Sequence, residues 1–71
     1  MNREIKAQHL ETVERHVREG RRHVARQKAL VAELKQHGHD DDLARALLAK
    51  FEELQALHVA DRDRLRAELD L

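Results

Sequence analysis

Apolar side chains recur at alternating steps of three and four residues through the first half of this 71-residue chain. One column of the resulting heptad holds Leu10, Val17, Val24 and Val31, each seven residues after the last. A seven-residue spacing returns a side chain to nearly the same face of an α-helix, with a drift of about 20° per heptad. The pattern therefore predicts one long, coiled-coil-like helix over about residues 3–37.

A turn signal follows this helix, in the segment HGHDDD. Gly38 suits the left-handed conformation in which many helices end. An aspartate, either Asp40 or Asp41, suits the N-cap of the next helix. We therefore expect a turn over about residues 38–40 and a second helix over about 41–70, with the choice between the two caps left open.

The second half of the chain is rich in leucine, and a short turn between two long helices makes them antiparallel neighbours. If the turn centres near His39, Gly20 faces His58 and Val13 faces Leu65, and the glycine leaves room for the imidazole ring. We predict an all-α, two-helix antiparallel hairpin, as a single domain over residues 1–71. The predicted seam residues are Leu10, Val13, Val17, Val24, Val31, Leu34, Leu47, Phe51, Leu54, His58 and Leu65.

The two arms carry opposite charges. Residues 1–39 contain nine Lys or Arg and five Asp or Glu, whereas residues 40–71 contain five and nine. Opposite charges favour pairing of the arms, although an exposed ion pair contributes only about 0–1 kcal/mol. Further leucines beside the seam remain uncovered in a single hairpin, so we expect two copies to form a homodimeric four-helix bundle that covers them. These residues are Leu30, Leu43, Leu48, Leu57 and Leu69. The expected function is that of a non-enzymatic protein–protein interaction or structural module.

The inventory of reactive side chains argues against an enzyme. The chain has no Cys, Ser or Tyr, and Thr12 is its only hydroxyl side chain. The lack of cysteine also excludes disulfides and thiolate metal sites, and we expect no cofactor. No apolar run reaches the about 20 residues that cross a bilayer, and residues 1–16 contain no hydrophobic signal segment. We therefore expect a cytoplasmic protein with no membrane contact.

Six histidines are an unusual number for a chain of this length. A single helix binds a metal ion through histidines about four residues apart, and no two of these are so spaced. The favoured interpretation is that they are polar residues at the edge of the seam. The alternative is a metal- or pH-responsive protein with a site between arms or between subunits. The candidate residues for such a site are His16, His23 and His58.

A basic stretch over residues 15–28 suggests a second alternative, a nucleic-acid-binding protein. The chain as a whole is neutral and offers no aromatic platform on which bases could stack. The second helix also offers acids that could neutralise the stretch, so we expect a solvated, salt-bridged surface and no nucleic-acid partner. These acids are Glu52, Glu53, Asp61 and Asp63.

Three segments carry a resemblance to other proteins. They are the ERHV segment followed by EG and RH, the GHD turn, and the segment ALHVADRDRL. In these segments the chain resembles a group of short bacterial proteins that are expected to form helical hairpins and have no established activity. The resemblance implies a hairpin and transfers no functional residue.

Overall fold

The computed structural model describes residues 2–71, which form two helices packed side by side. Helix α1 spans Arg3–Gln36 and helix α2 spans Asp42–Glu68. The hairpin measures 54 × 15 × 14 Å, so it is a rod rather than a globule. The prediction of an all-α chain with two paired helices is confirmed, and residues 2–71 contain no strand.

Local contacts define both ends of α1. The side chain of Asn2 accepts a hydrogen bond from the N–H of Glu4 at 2.9 Å, as an N-cap does. At the other end Gly38 has a φ of 69°, and the N–H of His39 donates to the carbonyl of Leu34 at 2.9 Å. A left-handed glycine followed by this long backbone bond is the Schellman ending, so Gly38 stops the helix.

Asp40 and Asp41 each accept one of the hydrogen bonds at the N-terminus of α2. The Oδ1 atom of Asp40 accepts the N–H of Asp42 at 2.9 Å, while the backbone carbonyl of Asp41 accepts the N–H of Arg45 at 2.9 Å. Asp41 therefore holds the N-cap position, although its side chain makes no capping hydrogen bond. Its carboxylate lies 3.3 Å from Nε of Arg45 instead. Both aspartates that the sequence offered as the N-cap therefore contribute to the N-terminus of α2.

The best-covered part of the seam lies far from the turn. Leu10, Val13, Leu65 and Leu69 form one buried cluster, and Val17 is buried next to it. Val13 and Leu65, which were predicted to face each other, both belong to this cluster. This end of the hairpin has the packing of a small hydrophobic core.

The seam is more open towards the turn. A buried polar residue, Gln27, lies in this part and donates from Nε2 to the carbonyl oxygen of Ala44 at 2.9 Å. The hydrogen bond explains how an amide is accommodated at a position that the heptad assigns to the core. The predicted seam residues that are only half-buried are Val24, Val31, Leu34, Phe51 and His58.

One column of α2 differs from the prediction. Leu47 and Leu54 are exposed and lie outside the seam, at its edge. The heptad column that contains Leu47 and Leu54 continues with Asp61 and Glu68. If this column faced α1, it would bring these two carboxylates into the best-covered end of the seam, at a high desolvation cost. The observed column places a leucine and the aliphatic stem of an arginine there instead. Its members are Leu48, Gln55, Arg62 and Leu69. The expectation that Leu48 and Leu69 lie uncovered beside the seam is therefore wrong, because Leu69 is buried and Leu48 is half-buried within one hairpin.

The register of the helices also differs from the prediction, by about one helical turn. Gln55, rather than His58, lies opposite Gly20, three residues nearer the turn. His58 contacts His16, with ring centroids 5.2 Å apart. The prediction assumed symmetric pairing about His39, whereas the pairing of Gly20 with Gln55 is centred between His37 and Gly38.

Candidate functional site

One edge of the seam carries histidine and leucine side chains. Each of these residues directly precedes a seam position in the sequence, which places all of them along the same side of the hairpin. We call this surface the histidine flank. Its members are His9, His16, His23, Leu30, Leu47, Leu54 and Asp61.

Large apolar side chains remain exposed on this flank and beside it. Farther from the turn the flank becomes polar, and Nε2 of His9 lies 3.8 Å from Oδ2 of Asp61. Single exposed leucines are ordinary in proteins, whereas a row of them on one side is an apolar surface of the kind found at interaction sites. The exposed fractions are 41% for Leu30, 84% for Leu43, 44% for Leu47, 51% for Leu54 and 63% for Leu57.

A shallow groove of about 200 Å³ opens between the helices on the histidine flank. Two pairs of rings span it: His16 with His58 at a centroid distance of 5.2 Å, and His23 with Phe51, edge to face, at 5.8 Å. Leu54 also lines the groove. The structure therefore brings together the three histidines that the sequence singled out, although they share a groove and not a single cluster.

The floor of this groove is formed by Gly20 and Gln55. Gln55 donates from Nε2 to the carbonyl oxygen of Val17 at 2.9 Å. The Oε1 atom of Gln55 and the Nδ1 atom of His58 are buried and have no hydrogen-bond partner among residues 2–71. Buried polar atoms normally have a partner, so these two atoms are exceptions in this groove.

An acidic cluster lies at the turn. Asp40, Asp41 and Asp42 are the one group of three or more described His, Asp or Glu residues whose ligand atoms lie within 4.8 Å of one another. The first two form the start of α2, and the carboxylate of Asp42 lies 2.6 Å from Nη2 of Arg45. The carboxylate of Asp40 is therefore occupied by helix capping, and those of Asp41 and Asp42 form ion pairs with Arg45.

The opposite side of the seam is basic. Four arginines, Arg18, Arg21, Arg62 and Arg66, line a depression there together with Glu14, and we call this surface the arginine flank. Arg66 donates to Oε2 of Glu14 at 2.9 Å. Arg18 and Arg21 form no ion pair with any residue in the described range 2–71. The flank therefore has more positive charge than its own acids neutralise.

The acids that were expected to neutralise residues 15–28 bind other partners or none. Within the described chain, the one ion pair of that stretch joins Arg15 to Glu19 of the same helix, at 3.8 Å. The expectation that α2 neutralises the basic stretch is therefore wrong. The ion pairs that the α2 acids form are Asp61–Arg64, Asp63–Arg62 and Glu53–Lys50, together with the weaker contact of Asp61 to His9.

Ion pairs join the two helices at the end away from the turn. The Nζ atom of Lys6 lies 3.3 Å from Oε1 of Glu68, and Nη1 of Arg64 lies 2.9 Å from Oε2 of the same carboxylate. The hydrogen bonds from Arg64 and then from Lys6 lower the pKa of Glu68 from its ordinary value. This carboxylate is therefore a charged link between α1 and α2.

Comparisons with known proteins assign no role to either flank. No protein-family model, curated protein or solved structure matches the chain. Neither of the two described helices is long and apolar enough to cross a membrane.

Proposed function

We propose that this protein is a non-enzymatic interaction module that self-associates through the histidine flank, forming a four-helix bundle from two hairpins. The observation that carries the proposal is the row of exposed leucines beside the groove, with Leu54 and Leu57 more than half exposed. Two helices bury one narrow seam, and no other element within residues 2–71 covers that row. Burial of apolar surface is the dominant favourable term in association.

Charge and the position of the leucines favour a second copy as the partner. Residues 1–39 carry a net charge of +4 and residues 40–71 a net charge of −4. A two-fold axis parallel to the helices places α1 of one copy against α2 of the other, so that opposite charges meet. It also brings both turns to the same end, where the exposed leucines of the two copies lie side by side. A perpendicular axis would place the two basic helices against each other.

The oligomeric state tests this proposal. Sedimentation or light scattering over a range of concentrations is expected to give a mass of two chains for the wild type. Leu54→Glu should shift the protein to one chain, because it places a carboxylate in the middle of the proposed interface. Ala46→Glu is the matched control, since Ala46 is exposed on the same helix outside the histidine flank. A wild type that stays monomeric at every concentration, or equal effects of the two substitutions, would overturn the proposal.

A second candidate function is nucleic-acid binding through the arginine flank. The observation that favours it is the group of four arginines around one depression, of which Arg18 and Arg21 have no acidic partner within the described residues. Phosphate groups are the ligands that such clusters bind, in a manner that depends strongly on salt. This flank lies on the other side of the seam from the proposed dimer interface, so the two functions are compatible.

A further inference from the structure

We propose that His16 and His58 form one half of a transition-metal site, and that the same two histidines of a second copy complete it, with one ion per dimer. The inference rests on the proposed self-association. Neither histidine is four residues from another, so a search for metal motifs within one helix does not find this pair. Only the packing of α1 against α2 brings the two rings together.

The separation of the rings matches that of two ligands on one ion. A tetrahedral zinc ion binds imidazole nitrogens at about 2.0–2.1 Å, and the ring centre lies about 1.1 Å behind the nitrogen. Two rings on such an ion therefore have centroids about 5.2 Å apart. The centroids of His16 and His58 are 5.2 Å apart in the hairpin, with the ring planes inclined at 42°. The spacing of the two rings in the hairpin therefore equals the spacing of two imidazole ligands on one ion.

The surroundings of the pair leave it available for an ion. Nδ1 of His58 has no hydrogen-bond partner within residues 2–71, so reorienting this ring towards an ion breaks no hydrogen bond at that atom. The rings line the groove next to Leu54 and Phe51, whose apolar side chains limit competition from water. Glu19 is the carboxylate that borders this groove, and it forms an ion pair with Arg15 of its own helix.

A single hairpin supplies two ligands, and a structural zinc site requires four. The proposed two-fold axis runs parallel to the helices, so each residue lies at the same height along the axis as its counterpart in the second copy. The two histidine pairs then lie on opposite sides of the axis at one level, which provides four imidazoles. Imidazole ligands suit Zn²⁺, Cu²⁺, Ni²⁺ and Co²⁺ and disfavour Mg²⁺ and Ca²⁺.

Cobalt and zinc titrations of the full chain, prepared free of metal, test the inference. Calorimetry with Zn²⁺ is expected to give one ion per two chains, and Co²⁺ is expected to give the visible absorption of a tetrahedral complex. Both signals should be lost in His16→Gln and in His58→Gln, which keep a polar side chain of similar length. The double variant His37→Gln/His39→Gln is the control, because these two histidines lie at the turn and their rings are 6.4 Å apart. Circular dichroism of each variant establishes that the helices are retained.

The outcomes separate this inference from the proposed function. A metal-free dimer without histidine-dependent binding would overturn the metal site and leave self-association intact. A protein that is monomeric without metal and dimeric with half an equivalent of Zn²⁺ would support the site and overturn metal-free self-association. One ion per chain, or loss of binding in the turn variant alone, would overturn the shared site.

Discussion

The side-chain amide of Gln55 occupies the space that a side chain at Gly20 would fill. A Cβ atom built on Gly20 would lie 2.8 Å from Cδ of Gln55 and closer still to its Oε1 atom. From this position Gln55 donates from Nε2 to the carbonyl of Val17 at 2.9 Å. The glycine, which costs an uninterrupted helix about 1 kcal/mol relative to alanine, is therefore matched to one side chain of the other helix.

Replacing this glycine should have an effect that depends on Gln55. In the wild type, we expect Gly20→Ala either to leave the free energy of unfolding unchanged or to lower it. The gain in helix propensity of about 1 kcal/mol is offset because the new methyl group displaces the side-chain amide of Gln55. In a Gln55→Ala background the same change should stabilise the hairpin by about 1 kcal/mol, because nothing is displaced. Urea unfolding of the four proteins, at one fixed chain concentration, measures this coupling.

The other glycine supplies the control for this cycle. Gly38 has a φ of 69° and no atom within 4 Å of the position a Cβ would take. Gly38→Ala should therefore destabilise the protein by about 1 kcal/mol through backbone strain, equally with and without Gln55. If Gly20→Ala also had the same effect in both backgrounds, the proposed match between Gly20 and Gln55 would be wrong.

The buried face of helix α1 could be predicted from the sequence because its heptad pattern has only one apolar face. Valines and leucines fill most positions of the column that begins with Leu10 and of the second core column, and the neighbouring columns hold mostly histidine and charged residues. The second core column consists of Val13, Gly20, Gln27 and Leu34. The steps of three and four therefore identify the buried face without knowledge of the partner helix. Gln27 is the exception, since its burial depends on a carbonyl of α2 that the sequence does not reveal.

In helix α2, two leucine-containing heptad columns flank the column formed by Ala44, Phe51, His58 and Leu65. One begins with Leu47 and the other with Leu48, and the local pattern does not show which of them faces α1. The choice depends on distant parts of the chain: the carboxylates of Asp61 and Glu68 favour one rotation of the helix, and the fit of Gln55 onto Gly20 favours the same one. Both are tertiary effects. For the same reason the sequence could name His16 and His58 as candidates but could not pair them, since their contact depends on the register between the helices.

Leu65 and Phe51 should respond differently to truncation. Leu65 is 2% exposed in the hairpin, so Leu65→Ala should lower the free energy of unfolding by about 2–5 kcal/mol at any chain concentration. Phe51 is half-buried in one hairpin, so Phe51→Ala should cost less than the about 3–5 kcal/mol of a fully buried phenylalanine when the chain is dilute. If the second copy covers the groove, the cost of Phe51→Ala should increase with concentration. Thermal melts at two concentrations a hundredfold apart test both statements.

Acid should weaken the end of the hairpin away from the turn through Glu68. Its pKa is lowered in the folded chain by Arg64 and Lys6, so its contribution to stability is present above the pKa of the unfolded chain, about 4.3. That contribution is lost as the pH falls through the lower, folded value. Glu68→Gln should therefore reduce the fall in melting temperature between pH 5 and pH 2.5. Glu53→Gln is the control, because Glu53 pairs with Lys50 of its own helix at 3.5 Å, and an equal reduction there would contradict the prediction.

The arginine flank should determine any binding of nucleic acid. If the flank binds phosphates, fluorescence anisotropy with a labelled DNA duplex should show an affinity that falls linearly with salt on logarithmic axes. The double variant Arg18→Ala/Arg21→Ala removes two phosphate contacts, so the slope should become shallower by about 1.8. Arg15→Ala/Arg22→Ala removes the same charge from the exposed side of α1 outside that depression and should change the slope less. Equal changes in the two variants, or no binding by the wild type at low salt, would remove nucleic acid as a ligand of this surface.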